Sequence, residues 1–347
     1  MQSTLLAALA AVALAAPSSA QCVGDLDGNG RVNGADIGLL LGGWGAAGST
    51  TGADIDGNGT VNGADLGLLL GAWGQCPGVP AWATLLEFAP NPAVVTNASL
   101  RAAITATGLA WRVRDAATQV EMLLVPPGTF QMGCSTGSIQ YACDPPELPV
   151  HHVTLTNAFY MGRYEVTQAQ WQAKMGSNPS SFTSASAQVP TAQVPNRPVE
   201  LVSWNSVQGY LNATGMRLPT EAEWEYACRA GTNTPFYNGS TDDGTLGALA
   251  WHAQTSGNQT RPVGGKAANA FGFHDMLGNV WEWVSDWYGS YSPAAQTDPT
   301  GPASASSRVL RGGSWNNIAL FVRSSYRGNS TPGITDSSWG FRVARNP

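Results

Sequence analysis

The chain has 347 residues, which is enough for one sizeable domain and one small domain. Only 12% of the residues are charged, and the 41 glycines, 22 prolines and 13 tryptophans favour a loop-rich domain held by aromatic side chains over a helical bundle. A formal net charge of -6 without a basic cluster argues against nucleic acid as a partner.

Residues 1–20 have the pattern of a secretory signal. Leu5 to Ala16 form an apolar run too short to span a bilayer, and Ser18-Ser19-Ala20 offers small residues for cleavage. No later segment is long and apolar enough to cross a membrane. We therefore expect an extracytoplasmic, secreted protein in which disulfides are permitted.

Residues 21–76 contain a duplicated pattern, DLDGNGRVNGAD at 25–36 and DIDGNGTVNGAD at 54–65, each followed by an apolar run. Each copy places oxygen-bearing side chains at loop positions 1, 3, 5, 9 and 12, with glycine at position 6 and a backbone carbonyl at position 7. This EF-hand-type spacing lets Ca²⁺ collect oxygen ligands around a sharp turn. The expected ligands are Asp25, Asp27, Asn29, Arg31 (carbonyl), Asn33, Asp36, Asp54, Asp56, Asn58, Thr60 (carbonyl), Asn62 and Asp65.

The charge of the repeat pair supports a cation site. It holds six aspartates but only one arginine, and the carboxylates repel one another without a counter-ion. The alternative is a pair of Asp/Gly turns without metal. Aspartate at position 12 resembles dockerin domains, which implies a small α-helical module, a bacterial source and a cohesin-like or other cell-surface partner. Dockerins carry polar recognition residues at loop positions 10 and 11, whereas these positions here are Gly34-Ala35 and Gly63-Ala64. An intramolecular role for the module is therefore an alternative to partner binding.

The five cysteines predict two disulfides and one free thiol. Cys22 and Cys76 bracket the repeat pair, while Cys134 and Cys143 flank a short polar loop. Cys228 lies in an apparent helix and is expected to be a buried thiol, whose pKa an apolar setting would raise.

Residues 77–118 begin as a proline-punctuated linker and lead into a short helix over Asn97 to Ala106, with Asn97 or Ser99 as its cap. The large domain is expected from 119 to 347, starting with the buried strand Glu121–Val125. Farther on, Thr220 and Glu223 form a capping box at the start of a helix.

Five motifs follow in chain order. They are PVHHVTLTNAFYMGRYEVTQAQW, RPVELVSWNSVQGYLNATGMRLPTEAEWEYACRAGT, GFHDMLGNVWEWVSDWY, RVLRGGSWNNIALFVRSSYR and WGFRVAR. Together they resemble the formylglycine-generating enzyme, or sulfatase-modifying factor, family. The resemblance implies an α+β, C-type-lectin-like fold with little regular secondary structure.

The family's copper site departs from its pattern here. Catalytic members carry two cysteines after RGGSW whose thiolates hold Cu(I), and those positions are Asn317 and Val322 in this chain. An amide and an isopropyl group are not soft sulfur ligands, so copper is not expected. The resemblance places Ser314, Trp315, Asn317 and Arg323 along a groove, but no nucleophile, base and orienting residue form a recognisable set.

A second calcium site is implied between Gly272 and Trp283. The side chains of Asp275 and Glu282 and the carbonyls of Gly278 and Val280 match a structural calcium site of the family. The alternative is that the two carboxylates cap a turn or pair with arginines. A metal role for His151 and His152 is not favoured, because no third ligand falls at suitable spacing.

Three functional hypotheses remain. The first is an enzyme of altered chemistry that acts on a peptide or protein side chain. The second is a non-catalytic binding or scaffold domain, and the third is a copper-dependent formylglycine generator. Because function must be argued from the site, and the site departs from the family pattern, the sequence leaves the substrate open.

Overall fold

The computed structural model describes residues 22–45, 52–135 and 140–347, so the expected signal at 1–20 lies outside the described residues. The chain divides into two compact units, Met1–Pro77 and Gly78–Pro347. Within the described ranges, no helix combines the length and the apolar character needed to cross a membrane.

The N-terminal unit is built from two loop–helix repeats. Helices α1 (Gly34–Gly42) and α2 (Gly63–Gly71) begin at Asn33 and Asn62, whose side chains cap them by accepting backbone N–H groups. A short antiparallel pair joins β1 (Arg31–Val32) to β2 (Gly74–Gln75). Five buried residues form the core, namely Val32, Leu40, Ala53, Val61 and Leu69.

The large unit mixes strands and helices that are mostly short. Its helices are α3 (Ala98–Ala106), α4 (Gln168–Met175), α5 (Trp204–Thr214), α6 (Glu221–Arg229) and α7 (Leu246–Leu249). Its strands are β3 (Ala83–Glu87), β4 (Arg112–Asp115), β5 (Glu121–Val125), β6 (Gly128–Met132), β7 (His151–Leu155), β8 (Phe159–Gly162), β9 (Trp281–Trp287), β10 (Gln296–Thr297), β11 (Arg308–Arg311), β12 (Arg327–Ser330), β13 (Trp339–Phe341) and β14 (Ala344–Arg345).

These strands form three sheets. A five-stranded sheet has the order β14-β8-β5-β4-β3, a four-stranded sheet β12-β11-β9-β13, and a three-stranded sheet β10-β7-β6. Helix α6 packs against β6, β9 and β11. The expected caps are confirmed, because Asn97 caps α3 and the Thr220–Glu223 capping box begins α6.

The segment 77–118 differs from the expected linker. Strands β3 and β4 form an antiparallel hairpin whose second strand pairs with β5, so this segment completes the five-stranded sheet. Backbone pairing and the burial of Val113 and Trp111 outweigh the local proline signals. The large domain therefore begins well before residue 119.

Buried ion pairs join distant loops of the large unit. Arg323 forms a two-pronged pair with Glu147 at 2.6 and 3.0 Å, and Arg327 does the same with Glu221 at 2.7 and 2.8 Å. Arg311 pairs with Glu225. Removing one partner of such a pair would leave a buried charge uncompensated, which typically costs about 3–5 kcal/mol.

Both expected disulfides are present. Cys22 is joined to Cys76, with a Cα–Cα distance of 5.4 Å, and Cys134 is joined to Cys143, with a Cα–Cα distance of 5.5 Å. Cys228 is free and buried in α6. The pattern of two bridges and one thiol matches the prediction.

Candidate functional site

The RGGSW segment is a tight turn at the end of β11. Gly312 and Gly313 have φ of +91° and +72°, values that favour glycine. A Cβ on Gly313 would lie 2.4 Å from Val322 Cγ1. The Gly312 carbonyl accepts the Gly278 N–H at 2.8 Å. Close backbone approach therefore joins this turn to the Gly272–Trp283 segment.

The expected groove residues fall into two groups. Trp315 and Asn317 are half-buried, whereas Ser314 and Arg323 are buried. The Ser314 hydroxyl lies 2.7 Å from Oδ1 of both Asn316 and Asn317 and donates to one of them at a time. Because Arg323 is committed to Glu147, its guanidinium is not available to a ligand, which corrects its expected place in the groove.

The two family cysteine positions do not form a soft-metal site. Asn317 supplies an amide oxygen 2.7 Å from the Ser314 hydroxyl, while Val322 is fully buried against Gly313. Neither side chain is a thiolate, so the residues present do not fit Cu(I). Cys228 is a lone thiol buried in α6, and burial raises its pKa to about 12.

Glu200 is a fully buried carboxylate, linked to Trp315 through Phe182, that sequence reasoning missed. Its Oε1 accepts the Phe182 N–H at 2.8 Å, and the Phe182 ring packs edge-on against Trp315 at 5.3 Å. Its Oε2 is buried without a partner among the described residues. Burial raises the pKa of Glu200 to about 7. The only sequence signal was an acidic residue in an otherwise apolar stretch, PVELV.

The second predicted calcium site is partly consistent with cation binding. Asp275 is buried; its Oδ2 accepts the Gly264 N–H at 2.6 Å, and its Oδ1 has no partner in the described part of the chain. Glu282 is instead bound by Arg342, with both N–O distances 2.6 Å. The unpartnered Oδ1 of Asp275 is therefore consistent with cation binding. Glu282 is paired with an arginine, as the alternative interpretation of this segment expected.

A third buried carboxylate lies beside this pair. Glu165 accepts the Asn279 side-chain amide at 2.7 Å and the Val280 N–H at 3.1 Å. Its pKa is raised well above the usual value by burial and by the charges of Asp275 and Glu282. Burial likewise raises the pKa of Asp275 to about 6. Glu165 was not identified from the sequence, because it precedes Asp275 by more than one hundred residues.

The repeat loops of the N-terminal unit bring their aspartates together. One ligand-type oxygen from each of Asp25, Asp27 and Asp36 lies within 4.8 Å of the others, and the same holds for Asp54, Asp56 and Asp65. Asp54 Oδ1 is buried without a described partner.

The other predicted loop oxygens are already hydrogen-bonded. Asn33 and Asn62 cap the helices. The side-chain oxygens of Asn29 and Asn58 accept the N–H groups of Arg31 and Thr60.

The histidines have structural contacts. His151 Nδ1 lies 3.0 Å from the Pro149 carbonyl, and His252 Nδ1 lies 3.0 Å from the Thr255 hydroxyl. His274 stacks on Tyr164 with a ring-centroid distance of 5.2 Å. Among the described residues, no histidine joins a group of three ligands close enough to hold a metal ion.

Fold and site together define a mixed helix-and-sheet domain with an RGGSW turn at its centre. The chain belongs to the sulfatase-modifying factor family, since the family model described as "Sulfatase-modifying factor enzyme 1-like domain" matches residues 110–347. The formylglycine-generating enzyme of Bos taurus is 30% identical over 281 residues, which cover 65% of this chain and 74% of that protein.

Other relatives carry the same domain in different settings. The serine/threonine-protein kinase pkn1 of Chlamydia pneumoniae is 34% identical over 246 residues, and the match covers 65% of this chain but only 38% of the kinase. Among solved structures, Treponema denticola variable protein 1 is 31% identical with a TM-score of 0.58, covering 66% of this chain and 95% of that one. PvdO from Pseudomonas aeruginosa is 31% identical with a TM-score of 0.55, covering 68% and 98%.

The buried carboxylate of Glu200 predicts a pH-dependent loss of stability. Its pKa in the folded protein, about 7, lies above the ordinary 4.5. The folded state therefore binds the proton more tightly, and this stability, complete below pH 4.5, is lost as the pH rises through 7.

We expect Glu200→Gln to unfold like the wild type at about pH 4 and to be more stable by about 1–3 kcal/mol at about pH 8. Urea denaturation across this range measures the difference. Glu223→Gln serves as the control, because it removes a partner of Arg217. Its stability relative to the wild type should not increase with rising pH. Parallel pH profiles for Glu200→Gln and the wild type would contradict the assignment.

Proposed function

We propose that this protein is an exported binding protein, in which the large domain holds a peptide or protein segment in the groove beside Trp315 and a calcium-binding module serves as a tether. The observation that carries the proposal is the pair of replaced thiolates. Asn317 is held by Ser314, and Val322 fills the space against Gly313. The turn is thus complete without a metal, and it leaves partly exposed Trp315 and exposed Ile318 beside it.

Binding suits this surface for physical reasons. Trp315 is fixed by its Nε1 donating to the Ser337 carbonyl at 3.1 Å and by its contact with Phe182. A rigid aromatic side chain contributes contact area at a small entropic cost. Ile318 is 57% exposed and extends the apolar surface. An extended peptide could therefore bind here through apolar contacts.

An enzyme of altered chemistry is the second candidate, and Glu200 is the observation that favours it. A buried carboxylate with a free oxygen and a pKa of about 7 is suited to proton transfer near neutral pH. In this role, Glu200 would accept a proton from a ligand held against Phe182 and Trp315.

For the N-terminal unit we infer a dockerin-like, EF-hand-type calcium module. The clustered aspartates and the unpartnered Asp54 Oδ1 support it, because such oxygens are the ligands that Ca²⁺ prefers. A cohesin-like or other cell-surface protein is the proposed partner. Export is supported by the two disulfides, which persist in oxidising compartments.

Calcium binding can be measured by calorimetry on the calcium-depleted full chain. We expect Asp27→Ala combined with Asp56→Ala, two exposed loop positions, to weaken two binding events by at least about tenfold, because each loop loses a charged ligand. Asp242→Ala removes an exposed aspartate of the large unit and should leave the affinity unchanged. No calcium uptake by the wild type, or equal uptake by the double variant, would contradict the module.

The groove is tested with the full chain, copper(I), oxygen, a reductant and a peptide containing Cys-x-Pro-x-Arg, the type modified by the family. We expect mass spectrometry to find the peptide retained and its cysteine unchanged. Retention should fall at least about fivefold in Ile318→Ser, since apolar contact area is lost, but not in Val150→Ser.

The other outcomes separate the hypotheses. Conversion of the cysteine to formylglycine would contradict the proposal and support the copper-dependent alternative. Absence of both conversion and retention would contradict peptide binding of this type and leave the altered enzyme open, with other ligands to be tested.

A further inference from the structure

A second concave site adjoins the RGGSW turn, because Asn279 accepts the Arg261 N–H through its side chain and the Trp315 N–H through its carbonyl. This cavity of about 450 Å³, here called the Arg261 cavity, is lined by Arg261, Trp251, Tyr164, Gln188, Gln193 and Asn196 and by the turn 262–265. Its volume lies in the range of small-molecule sites. Although the chain carries a net charge of -6, neither aspartate nor glutamate lines this cavity.

Arg261 is a buried cation without a counter-ion. It is 9% exposed, its Nε donates to the Ser256 carbonyl at 2.6 Å, and its Nη1 donates to the Gln188 carbonyl at 3.2 Å. In the described part of the chain, Nη2 has no acceptor, and no carboxylate oxygen lies within 4.0 Å of the guanidinium. A buried charge is normally paired, because its desolvation is costly.

Two more cations reinforce the positive charge. Arg197 is 1% exposed, and its Nη2 donates to Gln259 at 2.6 Å, while its buried Nε has no described partner. Lys266 Nζ lies 3.9 Å from the centroid of the Trp251 ring, which also has the Arg261 Cζ at 4.9 Å. Burial, and then the charge of Arg261, lower the pKa of both Arg197 and Lys266. Arg261 therefore repels each of the other two cations, while the charge of Glu200 partly offsets this for Arg197 and the charge of Asp275 for Lys266.

The backbone around the cavity is held in place. The Arg261 N–H donates to Asn279 Oδ1 at 2.9 Å, and the Gly264 N–H donates to Asp275 Oδ2 at 2.6 Å. A Cβ on Gly264 would lie 2.8 Å from Tyr164 Cε1, and one on Gly265 would lie 3.0 Å from Trp251 Cζ2. The two glycines thus let the turn pack closely against two aromatic rings that line the cavity, so that an incoming ligand would meet a preformed wall.

Neutral donors are also available. Gln193 and Asn196 are exposed, and their side-chain amides make no hydrogen bond within the described residues. The Trp251 Nε1–H is buried without an acceptor. Uncompensated guanidinium with free amide donors is suited to an oxyanion, because charge-assisted hydrogen bonds to carboxylate or sulfate are strong and directional.

We propose that the Arg261 cavity binds the oxyanion of a small acidic molecule, a carboxylate or a sulfate group. Arg261 Nη2 donates to the oxyanion, Gln193 and Asn196 bind its remaining oxygens or the attached polar groups, and Arg197 and Lys266 supply long-range attraction. The site is joined to the Trp315 surface through Ser256, but the proposal rests on the cavity's own residues and does not depend on peptide binding at that surface. The large volume relative to a single oxyanion leaves room for a sugar or another small polar body.

Calorimetry on the full chain tests the proposal with three probes at constant ionic strength set by chloride. Sodium sulfate represents the sulfate group, glucuronate a carboxylated sugar, and glucose an uncharged control. We expect one saturable binding event per chain for sulfate, glucuronate or both, and none for glucose. Binding of sulfate alone assigns a sulfated ligand, and binding of glucuronate alone assigns a carboxylated one.

Variants connect the binding to this cavity. Arg261→Gln should weaken binding at least about tenfold, as expected for the loss of a charged hydrogen bond. Arg114→Gln, another arginine without a described ion pair, should bind like the wild type. Gln193→Ala with Asn196→Ala changes only exposed residues and should weaken binding about threefold or more.

Three results would overturn the proposal. The first is that neither anion binds more than glucose does. The second is that a folded Arg261→Gln, checked by circular dichroism, binds like the wild type. If Arg261→Gln does not fold, unchanged binding by Gln193→Ala with Asn196→Ala would overturn it.

Discussion

Buried guanidinium–carboxylate pairs are the constraint on which the large domain depends. Helix α6 supplies Glu221 and Glu225, and these carboxylates pair with Arg327 on β12 and Arg311 on β11. Two-pronged geometry fixes direction as well as distance. Such pairs stabilise less than their Coulomb energy suggests, because each ion must be desolvated. In this domain, the pairs fix the position of helix α6 relative to strands β11 and β12, which are joined by irregular loops.

The same network explains how the turn keeps its shape with Asn317 and Val322 at the family's two cysteine positions. Arg311 and Arg323 hold the segment at both ends, and Gly313 admits the side chain of Val322 against the backbone. None of these contacts needs a thiol at position 317 or 322. The shape of the turn therefore does not depend on a thiol at either position, and Trp315 and Asn317 are partly exposed beside it.

Features encoded by local sequence were predictable. Asn97 and Thr220 cap helices because a side-chain oxygen acts on N–H groups two or three residues away. The short disulfide loop from Cys134 to Cys143 could be inferred from its spacing. The five motifs in register identified the fold class. The gathering of Asp25, Asp27 and Asp36 follows from one loop and was also foreseen.

Features that depend on distant partners were missed. Arg323 was expected in the groove, but its partner Glu147 lies 176 residues away. Glu200 and Arg261 carry no local motif, and only burial and the missing partner atoms distinguish them. The hairpin of β3 and β4 was read as a linker, because its prolines are visible in the sequence and its pairing with β5 is not.

The central claim is that this chain keeps the family frame without a copper centre. Its most direct test is a competition titration of the fully folded chain with copper(I) and a chromophoric copper(I) chelator. A copper-dependent formylglycine generator serves as the positive control. The account predicts that the chain does not withdraw copper from the chelator. One equivalent of tightly bound copper(I), lost on Asn317→Ala, would contradict it.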